Sequence, residues 1–343
     1  MKSADLTRKA YALAGVDVDL ANKLKRGIGA FVRQTHGPQV LGKIGGFGGL
    51  FHASFPGMRE PVLVASVDGV GTKLKIAFAM DKHNTVGVDL VNHCINDIAV
   101  LGARPLFFLD YIGCERLEPR VFQQLLHGFS RACRAAGCAL LGGETAQMPG
   151  MYRKGEYDLA GCIVGVVDRS KIIDGSKIKP GDVVLGLASN GLHTNGYSLA
   201  RKILFEKMRL KPSSLLPGST ITVGEELLRV HKNYQPLLAK VPAGVIKGLA
   251  HITGGGLIDN LPRILPSNCD AAIETKSWRV PSIFQIMQKN GNVASQEMFQ
   301  VFNMGIGMVA IVAERNARSA LSILKAKRIG RIERGTGKVQ LSF

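Results

Sequence analysis

The 343-residue chain lacks the features that would place it in several specialised classes of protein. No apolar run approaches the roughly 18 residues that a membrane-spanning helix needs. The N-terminal residues carry early charges but no apolar segment of the kind found in secretory signals. The six cysteines form no C-x-x-C pair and no metal-type spacing with histidine. We therefore expect a cytoplasmic protein with reduced cysteines and no membrane partner.

Acidic residues are scarce relative to basic ones. The chain has 26 Asp and Glu against 44 Lys and Arg, a net charge of +18, and residues 168–343 carry +13 of it. One interpretation is a surface that binds nucleic acid; the other is a basic surface that suits small phosphorylated substrates. The basic residues are scattered, without a block of five and without a nucleic-acid-binding motif. We therefore favour the second interpretation and expect no nucleic-acid partner.

Two familiar enzyme motifs are also absent. The chain contains no G-x-x-x-x-G-K-[ST], which excludes a Walker-type nucleotide site. It contains no G-x-S-x-G turn, and no cysteine stands in a recognisable nucleophile setting. The sequence therefore offers no recognisable protein nucleophile.

The length and composition predict two globular domains. Apolar residues make up 46% of the chain and charged residues 20%, which is enough for a sizeable core. A polar, lysine-rich stretch at 168–181 separates the halves, so we predict domains at 1–170 and 171–343. Apolar periodicity predicts helices at 18–35, 90–101 (capped by Asp89), 119–136, 198–207 and 281–290, and strands at 61–67, 106–111, 138–141, 158–167, 183–188 and 305–313.

Two aspartates are the strongest candidates for a metal site. Asp68 ends a predicted strand within Ser66–Lys73, and Asp97 lies near a helix C-terminus within the pattern D-x-x-x-x-G-A-x-P. An acid at that end of a helix opposes the helix dipole, which disfavours a purely structural role. Carboxylates and phosphate oxygens are ligands that Mg²⁺ prefers. Glu144, which follows another strand, is a third candidate, although it also suits an ordinary turn; His93 lies one helical turn before Asp97.

Three small-residue loops are candidate binding segments. The glycines of 45–49 can cover a triphosphate with backbone N–H groups, although any mobile loop has a similar composition. The segment 189–196 precedes the helix predicted at 198–207, and the segment 253–256 is predicted to open a further helix. Both positions suit an anion and equally suit ordinary caps. His193 and His251 lie in or beside these two loops, where a general acid or base can act or where a structural histidine can lie.

Longer motifs carry a resemblance over about residues 11–343. The chain resembles the phosphoribosylformylglycinamidine cyclo-ligases of purine biosynthesis. The D-x-x-x-x-G-A-x-P element is shared with related ATP-using enzymes, whereas GGETAQMPGMY at 142–152 and HTNGYSL at 193–199 are narrower. HITGGGL at 251–257 agrees with them. Gln147 departs from the pattern, because the family usually has glutamate there, and this puts any acidic role at that position in doubt.

The resemblance implies a fold and a reaction. The fold is α+β, with an N-terminal mixed sheet and helices that pair into a barrel across a homodimer, and a C-terminal α/β sandwich-like domain. The N-terminal domain binds ATP and metal, and the C-terminal domain binds the phosphoribosyl substrate. The reaction is the ATP-dependent ring closure of formylglycinamidine ribonucleotide to aminoimidazole ribonucleotide.

The resemblance also assigns roles to individual residues. Mg²⁺ on ATP is held by Asp68, Asp97 and Glu144, and protons are carried by His193 or His251. The residues expected at the ATP phosphates are Gly45, Gly46, Gly48, Gly49, Thr72 and Lys73. The residues expected at the substrate are Ser189, Asn190, Thr194, Asn195, Thr253, Gly254 and Gly255.

Two alternatives predict different outcomes. A small-molecule kinase related to the cyclo-ligases would share the aspartate motifs, while the absence of cysteine in the glycine loop argues against a selenophosphate synthetase. A basic nucleic-acid-binding protein without catalysis would show steep salt dependence of binding and no ATP turnover.

Overall fold

Within the described residues, the first elements are two short helices and a small hairpin. The computed structural model describes residues 14–27, 29–42, 44 and 46–343. Where one helix is predicted over 18–35, the structure has α1 (Val18–Gly27) and α2 (Gly29–Arg33). The antiparallel strands β1 (Val40–Leu41) and β2 (Leu50–Phe51) then flank the glycine loop. Gly45 lies outside the described residues.

The first domain is built on a four-stranded mixed sheet in the order β3-β6-β4-β5. Strands β3 and β4 are each antiparallel to β6, and β4 is parallel to β5. Two helices, α4 (Val86–Ala99) and α5 (Pro119–Ala135), pack on one face, and a short helix, α3 (Leu74–Met80), follows β3. The strands are β3 (Pro61–Gly69), β4 (Arg104–Cys114), β5 (Ala139–Gln147) and β6 (Tyr157–Asp168).

Burial alternates along β3, so the sheet has one face toward the helices and one toward solvent. Leu63 and Val67 lie on the outer face, with 63% and 69% of their surface exposed. These exposed apolar residues are typical of a sheet face that contacts another protein surface.

Helix α4 begins earlier than the sequence pattern predicts. We expected Asp89 to cap a helix that starts at residue 90, but α4 starts at Val86 and Asp89 lies in its first turn. Val86 and Asp89 are both fully buried. Asp89 accepts a hydrogen bond from His231 of the second domain, and Gly87, next to Val86, lies against α5, so this end of α4 does not face solvent. The prediction of Asp89 as a cap was therefore wrong.

The second domain is built on a six-stranded sheet in the order β12-β9-β11-β7-β10-β8. All neighbours are antiparallel except β12 and β9. Strand β10 is buried along its whole length, as expected for a strand with helices on the sheet. The strands are β7 (Val183–Ala188), β8 (Ile246–His251), β9 (Cys269–Glu274), β10 (Ile306–Val312), β11 (Lys327–Arg334) and β12 (Val339–Ser342).

Seven short helices surround this second sheet. The first, α6, continues as a π-helical turn over Lys202–Lys207. None of the helices within the described ranges combines the length and apolar character that crossing a membrane requires. The helices are α6 (Tyr197–Arg201), α7 (Val223–Leu227), α8 (Gln235–Leu238), α9 (Gly256–Asn260), α10 (Ser282–Gly291), α11 (Ser295–Val301) and α12 (Glu314–Leu324).

Asp168 is the last residue of β6, and its carboxylate binds the start of the segment that leads to the second domain. Its carboxylate accepts hydrogen bonds from the Ser170 hydroxyl at 2.6 Å and from the Arg59 backbone N–H at 2.7 Å. These bonds, led by the one from Ser170, lower the pKa of Asp168 to about 2. The ionised form is therefore favoured by folding, and its stabilising effect is present above the ordinary Asp pKa.

We predict that Asp168→Asn removes part of the acid dependence of stability. The excess in the free energy of unfolding of the wild type over Asp168→Asn should be full at pH 5 and should shrink as the pH falls from about 4 toward 2. Urea unfolding of both proteins at pH 5 and pH 2.5 measures this change. Glu297→Gln, at an exposed carboxylate of α11, is the control. A stability difference between wild type and Asp168→Asn that is the same at both pH values would contradict the prediction.

Candidate active site

Strand β3 and helix α4 bring Asp68 and Asp97 to one place. Asp68 lies near the end of β3, and Asp97 lies in the last turn of α4, which packs on β3. Ser66 donates a hydrogen bond to Asp97 Oδ2 at 3.2 Å. The imidazole of His93 lies between the two carboxylates, with Nε2 2.8 Å from Asp68 Oδ2 and 3.9 Å from Asp97 Oδ2. The two aspartates that were predicted from separate motifs are therefore close neighbours.

The pKa of His93 reflects these charges. Burial alone would lower it, but the hydrogen bond to Asp68 and the charges of Asp68 and Asp97 raise it above its ordinary value. The carboxylates keep access to solvent, since the side chains of Asp68 and Asp97 are 37% and 26% exposed. The site is thus open to a ligand on the carboxylate side and closed on the imidazole side.

The second domain contributes His251 to the same site. His251 ends β8, and its Nδ1 lies 2.8 Å from Asp97 Oδ1. Its Nε2 lies 3.0 Å from Nε2 of His231, and Nδ1 of His231 lies 3.2 Å from the hydroxyl of Thr194. Thr194 in turn contacts His93 Nδ1 at 2.7 Å. These contacts form a closed ring of side chains across the domain junction.

His231 is the functional-site residue that sequence reasoning missed. Helix α4 holds it at three points: its backbone N–H donates to Asp89 at 2.6 Å, Asn92 donates to its carbonyl at 2.7 Å, and Asn96 Nδ2 lies 3.2 Å from its Nε2. It matches no motif, because it lies in a polar segment between two short helices. The sequence gives no signal for His231; only the structure shows that four of the eight histidines in the chain share one cluster, namely His93, His193, His231 and His251.

His193 lies behind the site rather than in it. Its backbone adopts φ 63°, and its ring is buried and stacked on His231 with centroids 4.2 Å apart. Neither ring nitrogen has a hydrogen-bond partner among the described residues. Burial lowers the pKa of His193 well below its ordinary value, so the ring is neutral. The structure does not place His193 where a proton carrier meets solvent or substrate.

Lys73 was expected at a phosphate, and the structure places it in the protein interior instead. Its ammonium pairs with Asp89 at 2.8 Å and donates to the carbonyls of His193 at 3.0 Å and Arg229 at 2.7 Å. Burial lowers the pKa of Lys73 and raises that of Asp89, and their mutual attraction opposes both shifts. The Lys73 ammonium is fully buried among these three partners, so the expectation of a phosphate contact is corrected here.

Glu144 does not join the two aspartates within this chain. Across the sheet, Asp68 of β3 pairs with Gly161 of β6, which pairs with Asp110 of β4, which in turn pairs with Gly143 of β5, the residue before Glu144. Three strand spacings, about 14 Å, therefore separate Asp68 from this part of β5. Strand β6 inserts between β3 and β4, which the sequence pattern does not reveal. Glu144 is exposed and instead lies near Asp110, whose pKa burial raises to about 7, with a further contribution from Glu144.

Gln147, the residue that departs from the family pattern, makes two hydrogen bonds that connect separate segments of the chain. Its side-chain oxygen accepts a hydrogen bond from the Leu117 N–H at 3.1 Å, and its Nε2 donates to the Asp17 carbonyl at 3.2 Å. A glutamate could make only the first of these contacts, because a carboxylate has no donor. The amide thus ties the N-terminal segment to the end of β5.

The remaining ATP-site candidates lie at the surface. Gly46, Gly48 and Gly49 are exposed in the loop between β1 and β2. Thr72 is also exposed, and its hydroxyl lies 3.1 Å from that of Ser198 in the second domain. Thr72 therefore marks the junction of the domains, on the same 3-10 turn, Gly71–Lys73, that carries the buried Lys73.

The two candidate substrate loops lie side by side. Asn195 accepts a hydrogen bond from the Gly254 N–H at 2.8 Å, which joins the loops 189–196 and 253–256. Ser189 donates to Asn303 at 2.9 Å, Asn190 donates to the carbonyl of Val230 at 2.7 Å, and Thr253 lies 3.4 Å from Asn260. Gly255 adopts φ 95°, a conformation that favours glycine. The structure thus brings together the loops that the sequence suggested separately.

Comparison with known families identifies the class of protein. A family model described as the AIR synthase related protein, N-terminal domain, matches residues 57–167, and its C-terminal domain counterpart matches residues 179–342. The fold is therefore the two-domain α+β fold of the AIR synthase related proteins.

Relatives define the family within this class. The phosphoribosylformylglycinamidine cyclo-ligase of Syntrophotalea carbinolica is 52% identical over 93% of this chain and 91% of its own length. The cyclo-ligase of Syntrophus aciditrophicus is 48% identical over 98% of this chain and 99% of its own length. The chain belongs to the phosphoribosylformylglycinamidine cyclo-ligase family.

Solved structures show the same fold at low identity. Hydrogenase maturation protein HypE, crystallised in complex with ATP, aligns with a TM-score of 0.68 at 18% identity over 94% of this chain and 90% of its own. Thiamine-monophosphate kinase from Stenotrophomonas maltophilia aligns with a TM-score of 0.66 at 17% identity over 95% of this chain and 96% of its own. At these identities the likeness describes the fold alone.

Proposed function

We propose that this protein catalyses the ATP-dependent closure of the imidazole ring of aminoimidazole ribonucleotide, a C–N bond-forming step of purine biosynthesis. The substrate is formylglycinamidine ribonucleotide, and the other products are ADP and phosphate. The observation that carries this proposal is that relatives about half identical to the chain, over more than nine-tenths of it, bear the cyclo-ligase name.

The chemistry requires activation of a poor leaving group. The formyl amide oxygen attacks the γ-phosphorus of ATP, and ADP leaves. The amidine nitrogen then attacks the formyl carbon, the C–O bond to the phosphoryl group breaks, and phosphate and a proton leave. Such a reaction depends on in-line positioning and charge neutralisation rather than on a protein nucleophile. This agrees with a chain in which nucleophile motifs are absent.

Asp68 and Asp97 are the proposed ligands of the Mg²⁺ that accompanies ATP. Their carboxylates lie on two sides of His93 Nε2 and reach solvent, so they fit an ion that takes one or two carboxylates together with phosphate oxygens. When bound, Mg²⁺ neutralises charge on the triphosphate. Glu144 and Lys73 are left out of this set for the reasons given above.

The exposed elements around the junction are the proposed binding segments. Gly46, Gly48 and Gly49, together with Gly45, close over the triphosphate, and Thr72 lies beside it. Ser189, Asn190, Asn195 and the 253–255 turn face the phosphoribosyl substrate, and Thr194 orients His93. His251 is kept as the candidate proton carrier because it contacts Asp97, whereas His193 is not kept because its ring stacks on His231 and its nitrogens contact no polar group of the described residues.

We assign ATP, metal binding and dimerisation to residues 1–170, and substrate binding to residues 171–343. A homodimer that pairs the N-terminal sheets into a barrel is supported by the exposed apolar face of β3, where Leu63 and Val67 lie. A barrel that closes in this way also leaves no open strand edge.

A labelled-substrate assay tests the function. Purified protein with ATP, Mg²⁺ and formylglycinamidine ribonucleotide should release aminoimidazole ribonucleotide, detected by diazo coupling of its aromatic amine. Substrate labelled with ¹⁸O in the formyl group should transfer the label to inorganic phosphate. Phosphate without label would exclude activation of the formyl oxygen. ATP turnover with thiamine monophosphate but not with the ribonucleotide would favour the kinase alternative.

A further inference from the structure

Four side chains of the kinds that can bind metal ions converge at the domain junction from three elements. Asp68 comes from β3, His93 and Asp97 from α4, and His251 from β8 of the second domain. The donor atoms of His93, Asp97 and His251 all lie within 4.8 Å of one another, and Asp68 Oδ2 lies 2.8 Å from His93 Nε2. Two nitrogens and two carboxylates therefore share one small volume.

We propose that Asp68, His93, Asp97 and His251 form one binding site for a divalent first-row transition-metal ion, such as Mn²⁺ or Co²⁺, with both imidazoles as ligands. The proposal deepens the metal site of the proposed function, because it names the ligands and the ion that the site prefers. It differs from a carboxylate-only Mg²⁺ site in requiring His93 and His251, and it makes His251 a ligand in place of the proton carrier considered above.

The spacing of the donor atoms suits such an ion. Metal–ligand bonds of about 2.1 Å place neighbouring ligands of an octahedron about 3.0 Å apart and opposite ligands about 4.2 Å apart. The observed separations are 2.8 Å for His93 Nε2 to Asp68, 2.8 Å for His251 Nδ1 to Asp97 and 3.9 Å for His93 Nε2 to Asp97. Small movements of these side chains would therefore complete the coordination.

In both His93 and His251, the ring nitrogen on the side away from the carboxylates has a contact partner. His93 Nδ1 contacts the Thr194 hydroxyl at 2.7 Å, and His251 Nε2 contacts His231 Nε2 at 3.0 Å. Metal-binding histidines usually make such a hydrogen bond through the nitrogen that does not bind the ion. Ser66 holds Asp97 in the same way. The supporting contacts of a metal site are therefore present.

Hydrogen bonding around His231 points to a cation between His251 and Asp97. The amide of Asn96 is oriented, because Nδ2 donates to the Lys232 carbonyl and Oδ1 accepts from the Tyr234 N–H. Nδ2 therefore faces His231 Nε2 as a donor at 3.2 Å, and His231 Nε2 acts as the acceptor. His251 Nε2, 3.0 Å from the same atom, is then also a donor.

This arrangement leaves neutral His251 without a proton on Nδ1. The lone pair of Nδ1 faces a carboxylate oxygen of Asp97 at 2.8 Å, and two acceptors at this distance require a cation between them. A proton satisfies only these two atoms, whereas a metal ion satisfies all four donor groups. Imidazole ligands favour Mn²⁺, Co²⁺ or Zn²⁺ over Mg²⁺, which prefers oxygen.

Metal binding without nucleotide tests the proposal. Chelator-treated full-length protein is titrated with Mn²⁺, Co²⁺ and Mg²⁺ by calorimetry, and Co²⁺ binding is followed by visible absorption. We expect one Mn²⁺ or Co²⁺ per chain, bound at least about 10-fold more tightly than Mg²⁺. His93→Gln and His251→Gln should each weaken Co²⁺ binding by about 100-fold. His83→Gln, which replaces a buried histidine that contacts Tyr157, is the control and should bind as wild type does.

A spectroscopic readout on the wild-type protein keeps the test decisive if a variant fails to fold. Pulsed electron paramagnetic resonance of the Mn²⁺-loaded protein should show coupling to imidazole nitrogen. Absence of that coupling, or equal affinity for Mn²⁺ and Mg²⁺, would overturn the proposal. Since these experiments use neither ATP nor substrate, their failure is distinguishable from failure of the ring-closure assay.

Discussion

Asp97→Asn is expected to lower the ring-closure rate by about 100-fold or more while leaving the fold intact. Asp97 contacts Ser66, His93 and His251, so it connects both domains at the point where the carboxylates meet. Asparagine keeps the size of the side chain but removes the negative charge that binds a divalent ion. The loss should appear when initial rates are measured across MgATP concentrations, and circular dichroism should be unchanged.

A matched variant separates this effect from a general change of charge. Asp174→Asn removes an exposed carboxylate near the domain boundary, where Asp174 accepts hydrogen bonds from the backbone N–H and the hydroxyl of Ser176. It should retain the wild-type rate. If Asp97→Asn turned over as fast as Asp174→Asn, Asp97 would have no place in the proposed metal site.

Lys73→Met is expected to destabilise the protein by about 3–5 kcal/mol, because it leaves the Asp89 carboxylate buried without its partner. Both side chains are fully buried, and the remaining oxygen of Asp89 accepts from the His231 N–H. Two carbonyls, of His193 and Arg229, also lose their donor. The free energy of unfolding measured in urea should show the loss.

The neighbouring Lys75 provides the control, since its pair with Glu156 is partly exposed. Lys75→Met should cost no more than about 1 kcal/mol. The double variant Lys73→Met, Asp89→Asn should be more stable than Lys73→Met alone, because it removes the unpaired charge and keeps an oxygen for the His231 N–H. Equal losses of unfolding free energy in the two single variants would contradict a stabilising role of the buried Lys73–Asp89 pair. A double variant less stable than Lys73→Met would contradict it as well.

Local patterns were sufficient for most of the elements and for part of the site. Period-two and period-3.6 apolar repeats predicted strands and helices that overlap β3 to β7, α5 and β10. The i, i+4 spacing of His93 and Asp97 indicated that they share a helix face, and the structure places His93 Nε2 3.9 Å from Asp97 Oδ2. The small-residue loops at 189–196 and 253–256 were found from composition, although their contact through Asn195 was not.

The errors arose where tertiary structure decides the environment. Asp89 and Lys73 have the sequence context of a cap and a phosphate ligand, but packing of the second domain buries both. Glu144 follows a strand as predicted, yet strand order separates it from Asp68. His231 carries no motif, because its role comes from contacts with α4, more than 130 residues away in sequence.

The most direct test of the central claim is a crystal structure with Mn²⁺ and a non-hydrolysable ATP analogue, in which anomalous scattering locates the ion. We predict one Mn²⁺ peak within about 2.3 Å of carboxylate oxygens of both Asp68 and Asp97, with a phosphate oxygen of the nucleotide also bound to it. A peak and triphosphate beside Asp110 and Glu144, with Asp68 and Asp97 free of metal, would contradict the account.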